Sequence, residues 1–264
     1  MNNFPIGIID SGSGGLSIWK EITTLLPNES TLYIGDHAYL PYSEKSTGFI
    51  RRRVAKLIHF LLAKHVKLIV IACNTATVAG IDWYRAQFPT IPIIGVVPVV
   101  KTAAALTKTN EICILSTKYT AGSMYQKKLI KEFASHAKVI SIGSSRLVEY
   151  IESAGDMKEK IISELQEVLQ LIRNSAVDVV VLGCTHFPFI KEEIRQVIGV
   201  TISLLDSGLA VARHVQRILE RNHLFTNSSR ASHEFYSTGN VKKVAATYQK
   251  LLKYPVVVLT EAIA

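Results

Sequence analysis

Leu68-Ile69-Val70-Ile71-Ala72-Cys73-Asn74-Thr75 is the stretch on which the fold turns, because an unbroken apolar run ends abruptly in a thiol, an amide and a hydroxyl. A run this short and this rich in Ile and Val reads as a strand buried on both faces, the kind found in parallel sheets. Val180-Val181-Leu182-Gly183-Cys184-Thr185-His186 repeats the pattern. Working outward, similar runs at 6–9, 31–34, 93–96, 112–115, 139–142 and 202–205 join those at 68–72 and 177–182. Between them lie amphipathic stretches. Val54, Leu57, Ile58, Leu61 and Leu62 recur at helical spacing, with Arg53, Lys56 and Lys64 on the other face, and Ile161, Ile162, Leu165, Val168, Leu169 and Ile172 do the same. Strand and helix in turn predict an α/β fold around mostly parallel sheet.

An internal repeat refines this. Ile8-Ile9-Asp10-Ser11-Gly12 precedes the first cysteine much as Ile114-Leu115-Ser116-Thr117 precedes the second, with offsets of 63 residues from Asp10 to Cys73 and 67 from Thr117 to Cys184. The repeat predicts two pseudo-symmetric lobes, each a mostly parallel sheet flanked by helices. Ligands bind outside the carboxyl ends of parallel strands, where loops and helix amino termini converge. Both cysteines fall at such ends, so lobes facing each other would bring two thiols to one substrate in the cleft between them.

At 264 residues and 48% apolar content the chain can bury a substantial core. Its longest apolar stretch, 91–100, is interrupted by Pro92 and Pro98 and is too short to span a membrane. The first residues carry Asn2, Asn3, Pro5 and Asp10 in place of a signal-peptide pattern, and a cytoplasmic protein is expected. Three cysteines do not make a disulfide framework. Thirty Lys and Arg against 21 Asp and Glu give a formal charge of +9, which suits nucleic acid, an anionic surface or an acidic small substrate.

Removing the α-proton of an amino acid and returning it on the other face requires one acid/base group per face. A thiol, with an ordinary pKa of about 8.5, suits both halves of that task. A lone cysteine ending an apolar strand is ordinarily inert packing, and Cys113, inside Glu111-Ile112-Cys113-Ile114-Leu115, is read so. Equivalent placement and polar neighbours set Cys73 and Cys184 apart. Asp10 ends a strand where a carboxylate is costly to bury without purpose, although a loop cap is the ordinary alternative; His186 is equally open. Gly12-Ser13-Gly14-Gly15 lacks both the dinucleotide and the P-loop pattern and reads as a tight turn whose N–H groups could bind a carboxylate. Cys184 and His186 fall short of a zinc pattern, so neither metal nor cofactor is expected. Arg51-Arg52-Arg53 reads as the solvated start of a helix.

The motifs Ile9-Asp10-Ser11-Gly12-Ser13-Gly14-Gly15, Tyr33-Ile34-Gly35-Asp36, Pro41-Tyr42, Ala72-Cys73-Asn74-Thr75-Ala76, Leu182-Gly183-Cys184-Thr185-His186-Phe187-Pro188 and Phe235-Tyr236-Ser237-Thr238-Gly239 occur in an order that resembles the glutamate racemases of bacterial cell-wall synthesis, within the aspartate/glutamate racemase superfamily. The resemblance implies cofactor-independent interconversion of L- and D-glutamate for peptidoglycan, with Cys73 and Cys184 on opposite faces of the α-carbon. Asp10 would assist Cys73 and His186 would assist Cys184, with Glu152 a further acidic neighbour unless it is an ordinary helix-surface glutamate. Asp10, Ser11, Pro41, Tyr42, Ser43, Asn74, Thr75, Thr185 and His186 would line the substrate site. Thr117 and Thr120 fall at a substrate-contacting turn whose wording departs from the family's, and Ser43 stands where glycine is common. The resemblance further implies a first lobe of residues 1–97 with 208–264, a second of 98–207, and a homodimer. Gly95-Val96-Val97-Pro98 resembles the branch activated by UDP-N-acetylmuramoyl-L-alanine, and some members are thought to interact with DNA gyrase. Aspartate racemisation within the superfamily and, from the charge, nucleic-acid binding are the alternatives.

Overall fold

The computed structural model describes residues 3–261 and 263. The chain divides into two compact units, residues 1–96 with 208–264 and residues 97–207. The first begins with β1 (Ile6–Asp10), α1 (Leu16–Leu25), β2 (Thr31–Gly35), α2 (Thr47–Ala63), β3 (Leu68–Ile71), α3 (Asn74–Gln87) and β4 (Ile93–Gly95). The second comprises α4 (Val100–Leu106), β5 (Glu111–Ser116), α5 (Lys118–Gly122), α6 (Met124–Phe133), β6 (Lys138–Gly143), α7 (Arg146–Glu152), α8 (Lys158–Leu169), β7 (Val179–Gly183), α9 (Lys191–Ile198) and β8 (Ser203–Leu205). The chain then returns to complete the first unit with α10 (Gly208–Arg221), β9 (His233–Ser237), α11 (Val241–Leu252) and β10 (Val258–Thr260).

Every strand pairing is parallel, in the orders β10-β9-β2-β1-β3-β4 and β6-β5-β7-β8. The first four strands of unit one and the four of unit two therefore share one topology, as the internal repeat predicts. The strands at the centre are apolar along their interiors because helices cover both faces. Ile6, Ile8, Ile9, Leu68, Ile69, Val70 and Ile71 are buried in one sheet, and Ile112, Cys113, Ile114, Leu115, Val180 and Val181 in the other. No helix among the described residues is long and apolar enough to cross a membrane.

β9 and β10 are absent from the strands expected from sequence. Both lie toward one edge, with His233, Glu234, Leu259 and Thr260 exposed; β9 has no apolar run, whereas β10 does carry one, Val256-Val257-Val258-Leu259, which the expected strands omit. Arg51-Arg52-Arg53 is also corrected: Ser46 caps α2, accepting from the Phe49 N–H, and the arginines lie a full turn inside the helix with Arg53 buried. Arg53 falls one residue before Val54 and three after Ile50, which puts it on the apolar stripe.

A buried ion pair closes unit one at the other end of its sheet. Lys67 Nζ lies 2.6 Å from Glu29 Oε2 and donates to the Leu224 carbonyl, while Glu29 Oε1 accepts from the Thr226 N–H. Lys67→Met leaves the Glu29 carboxylate without its cation in a site closed to water. It is expected to cost about 3 kcal/mol, read as a lower urea midpoint at unchanged m-value; a midpoint within error of wild type refutes this.

Candidate active site

Parallel register decides which side chains gather at the carboxyl ends. In unit one Asp10 stands opposite Gly35 and Gly35 opposite Ser237, while Ile9 pairs with Ile71, so Asp10, Asp36, Cys73 and Thr238 leave neighbouring strands on one side of the sheet. In unit two Ser116 pairs with Gly183, and Thr117 and Cys184 follow them.

Asp10 is fully buried, and its Oδ2 accepts from the N–H groups of Gly12 at 3.1 Å and Gly15 at 3.0 Å. The Tyr33 hydroxyl donates to the Gly12 carbonyl at 2.8 Å and lies 3.4 Å from the same Oδ2. This close approach needs glycine: a Cβ on Gly15 would sit 2.9 Å from the Cβ of Asp10 and 3.0 Å from that of Ala72. Two N–H groups of the turn that the sequence offered to a ligand carboxylate are thus taken by Asp10 itself.

Cys73 is the N-cap of α3, and its Sγ accepts from the Ala76 N–H at 3.4 Å and meets Ser11 Oγ at 3.5 Å. Caps are ordinarily Ser, Thr, Asp or Asn. A thiol here lies where the first-turn N–H groups and the helix dipole favour negative charge. Asn74 donates from Nδ2 to the Val96 carbonyl at 3.4 Å, and Thr75 is buried beside it. Pro41 and Ser43 are half-buried on either side of Tyr42. The Tyr42 hydroxyl donates to Asp36 Oδ2 at 2.6 Å; burial, with the Asp36 charge and hydrogen bond adding to it, raises the phenol well above its ordinary pKa.

Unit two surrounds its thiol differently. Cys184 Sγ lies 3.7 Å from His186 Nδ1, and His186 Nε2 lies 2.6 Å from Glu152 Oε1 at the end of α7. The carboxylate fixes the tautomer, because Nε2 must carry the proton it donates, which leaves Nδ1 to exchange a proton with sulfur. Burial works against charging this ring. The hydrogen bonds to Cys184 and Glu152, together with their charges, prevail and raise the imidazole well above its ordinary pKa. Glu152 is accordingly a partner of His186 and not a helix-surface residue. Thr117 caps α5, its Oγ1 accepting from the Thr120 N–H at 3.3 Å and lying 3.1 Å from the buried Thr120 hydroxyl. Thr185 is buried next to Cys184. Cys113, by contrast, sits inside β5, where burial pushes its thiol up to about 12. Among the described residues no three His, Cys, Asp or Glu side chains gather as metal ligands.

Asp36 and Arg53 are not among the site residues expected from sequence. Arg53 Nε and Nη2 grip Asp36 Oδ2 and Oδ1 at 3.1 and 2.8 Å, and Thr238 Oγ1 donates to Oδ1 at 2.8 Å. The available signals were a buried strand followed at once by an acidic residue and an arginine on an apolar helical stripe.

Two parallel units of one topology, each with a buried cysteine and polar neighbours after its third strand, define an α/β protein built by repetition. A model of the Asp/Glu/hydantoin racemase family matches residues 6–215, and the chain belongs to that family as an amino-acid racemase. It is 39% identical over 249 residues to the glutamate racemase of Ectopseudomonas mendocina (strain ymp), with 94% of each chain covered. Its fold matches a glutamate racemase isoform of Bacillus anthracis at a TM-score of 0.92 and 28% identity over the whole of both chains. It matches Escherichia coli glutamate racemase, solved with L-glutamate and the activator UDP-MurNAc-Ala, at 0.86 and 33% identity over 97% of each.

A histidine whose pKa is raised by folding stabilises the protein fully below its unfolded-state value, about 6.5, and that contribution is lost as pH rises through the folded-state value. Raising the pH from neutrality is therefore expected to weaken the wild type more than His186→Gln in urea unfolding. Glu152→Gln is expected to move the His186 titration, followed by NMR, to lower pH; an unmoved titration would show that Glu152 does not hold the ring.

Proposed function

We propose that the chain interconverts L- and D-glutamate without a cofactor, Cys73 and Cys184 serving opposite faces of the α-carbon, and that its product is D-glutamate for peptidoglycan synthesis in the cytoplasm. One thiolate takes the α-proton, the electron pair left on carbon spreads into the adjoining carboxylate, and the other thiol delivers its proton to the opposite face. The two sulfurs end with their protonation states exchanged. The observation that carries this reading is the placement of each thiol at the carboxyl end of the third strand of one topology, capped by N–H in one unit and backed by a His186–Glu152 pair in the other. In the second unit an imidazolium Nδ1–H can hand a proton to sulfur and take it back. Asp10 assists Cys73 from within its shell of turn N–H groups. Ser11, Asn74, Thr75, Thr117, Thr120 and Thr185 supply the hydroxyl and amide groups that hold the substrate's charged ends, with the segment 41–43 beside them. The relatives named glutamate racemase, and the E. coli enzyme's complex with L-glutamate, support glutamate as substrate.

Activation by UDP-N-acetylmuramoyl-L-alanine is inferred from the Gly95-Val96-Val97-Pro98 likeness and from the activator named for the E. coli enzyme. A cavity of about 310 Å³ in unit one, lined by Ile93 and Ile94 of β4 with Phe88, Ile218, Arg85 and His214, offers an apolar floor with one guanidinium, that of Arg85, at its side.

D-Glutamate incubated with the enzyme in heavy water is expected to gain deuterium at the α-carbon as L-glutamate appears. Cys73→Ser and Cys184→Ser are each expected to lower racemisation about a thousandfold or more, the range lost with a general acid/base group. Full racemisation in either variant refutes the two-thiol mechanism, and faster turnover of aspartate than of glutamate refutes the substrate.

A further inference from the structure

The segment from Ala38 to Ser43 carries Pro41, Tyr42 and Ser43 but has little backbone structure of its own. It consists of two short 3-10 turns, His37–Tyr39 and Tyr42–Glu44, joined at Leu40 and Pro41. Its side chains and one amide converge instead on a single buried carboxylate. Tyr42 donates its hydroxyl to Asp36 Oδ2. The Tyr39 ring lies under the Arg53 guanidinium, 4.2 Å from ring centre to Cζ, and Arg53 grips both oxygens of Asp36. Thr238 Oγ1 accepts from the Ala38 N–H at 3.1 Å while donating to Asp36 Oδ1. Asp36 is itself tied to β1, its N–H donating to the Asp10 carbonyl at 2.9 Å, and Arg53 Nη1 reaches the Ile263 carbonyl at 2.9 Å.

We propose that Asp36 is a positioning residue for the racemase reaction, holding the substrate segment 41–43 in register with Asp10 through the three groups that converge on it: Tyr42, Arg53 and Thr238. This rests on the reading above that the segment lines the substrate site. The Tyr42 hydroxyl, committed to Asp36 and buried, then serves the substrate only by fixing the chain that bears it. Arg53 supplies two of the donors to Asp36, and the other two come from Tyr42, within the segment, and Thr238, which also holds the segment's Ala38 N–H. Four donor atoms from three residues meet on one carboxylate, and each of the three residues leads back to the same six-residue segment, which is what a fixed segment requires. The return of the chain at β9 is also explained, because Thr238, at its end, is the bridge between Asp36 and Ala38.

Tyr42→Phe removes one hydroxyl and leaves Asp36 its Arg53 and Thr238 donors, so the fold persists. It is expected to raise KM for glutamate about tenfold, the cost of one buried hydrogen bond to a charged group, with kcat within about twofold of wild type. Amide hydrogen exchange in 38–43 is expected to quicken about tenfold. Thr238→Val is expected to act likewise and Thr238→Ser to restore wild-type values. Unchanged KM and unchanged exchange in both Tyr42→Phe and Thr238→Val overturn the proposal, as does a fall in thermal stability with KM unmoved, which would mark the cluster as merely structural. If the wild type does not racemise glutamate at all, the reading of the site fails, while exchange in 38–43 still decides whether Asp36 holds the segment.

Discussion

The parallel pairing of β1 with both β2 and β3, and of β5 with both β6 and β7, is the constraint from which both thiol sites follow. Strands that run the same way in register end on the same side, and the residues that follow them leave the sheet together. In unit one this delivers Asp10, Asp36, Cys73 and, through β9, Thr238; in unit two it delivers Thr117, Ser144 and Cys184. Helix amino termini open directly after two of these strands, so α3 begins at Cys73 and α5 at Thr117, each side chain accepting a first-turn N–H. Topology thus places hydroxyl, amide and thiol beside one another without a dedicated binding loop.

A carboxylate closed to water survives only in a shell of donors, and unit one contains two such carboxylates at adjacent strand ends. Asp10 is held by the turn that starts α1, which is why glycine is needed at 15 and why no side chain could replace it without moving the strand. Asp36 is held by residues drawn from α2, from the 3-10 segment and from the end of β9. The first shell is local and rigid. The second is assembled from positions 17 and 202 residues away and ties the end of β9 to the segment that follows β2.

The two cysteines, though equivalent in topology, sit in chemically unlike surroundings. Cys73 meets neutral groups, a serine hydroxyl and a backbone N–H at a helix start. Cys184 meets an imidazole whose far nitrogen is engaged by a carboxylate, so that a charge can be shared along sulfur, ring and carboxylate. The repeat supplies the placement, and divergence of the neighbours supplies the difference.

Residues that act within one element were legible in the linear chain. Strands buried on both faces announce themselves as Ile and Val runs, the repeat is visible in the residues around Cys73 and Cys184, and Cys113 is set apart because its neighbours are apolar on both sides. What the chain could not show depends on partners distant in sequence. β9 lies beside the edge with His233 and Glu234 in water and leaves little compositional trace, whereas β10 carries the visible run Val256-Val257-Val258-Leu259, which its pairing with β9 identifies as a strand. Arg53 looked solvated until Asp36, 17 residues before it, made an apolar helical position tolerable for a guanidinium. Glu152 became a partner of His186 only because α7 ends beside the turn after β7, 34 residues further on. Apolar periodicity is written along the chain because burial acts on each residue separately, whereas the pairing of buried charges is decided by tertiary distance alone.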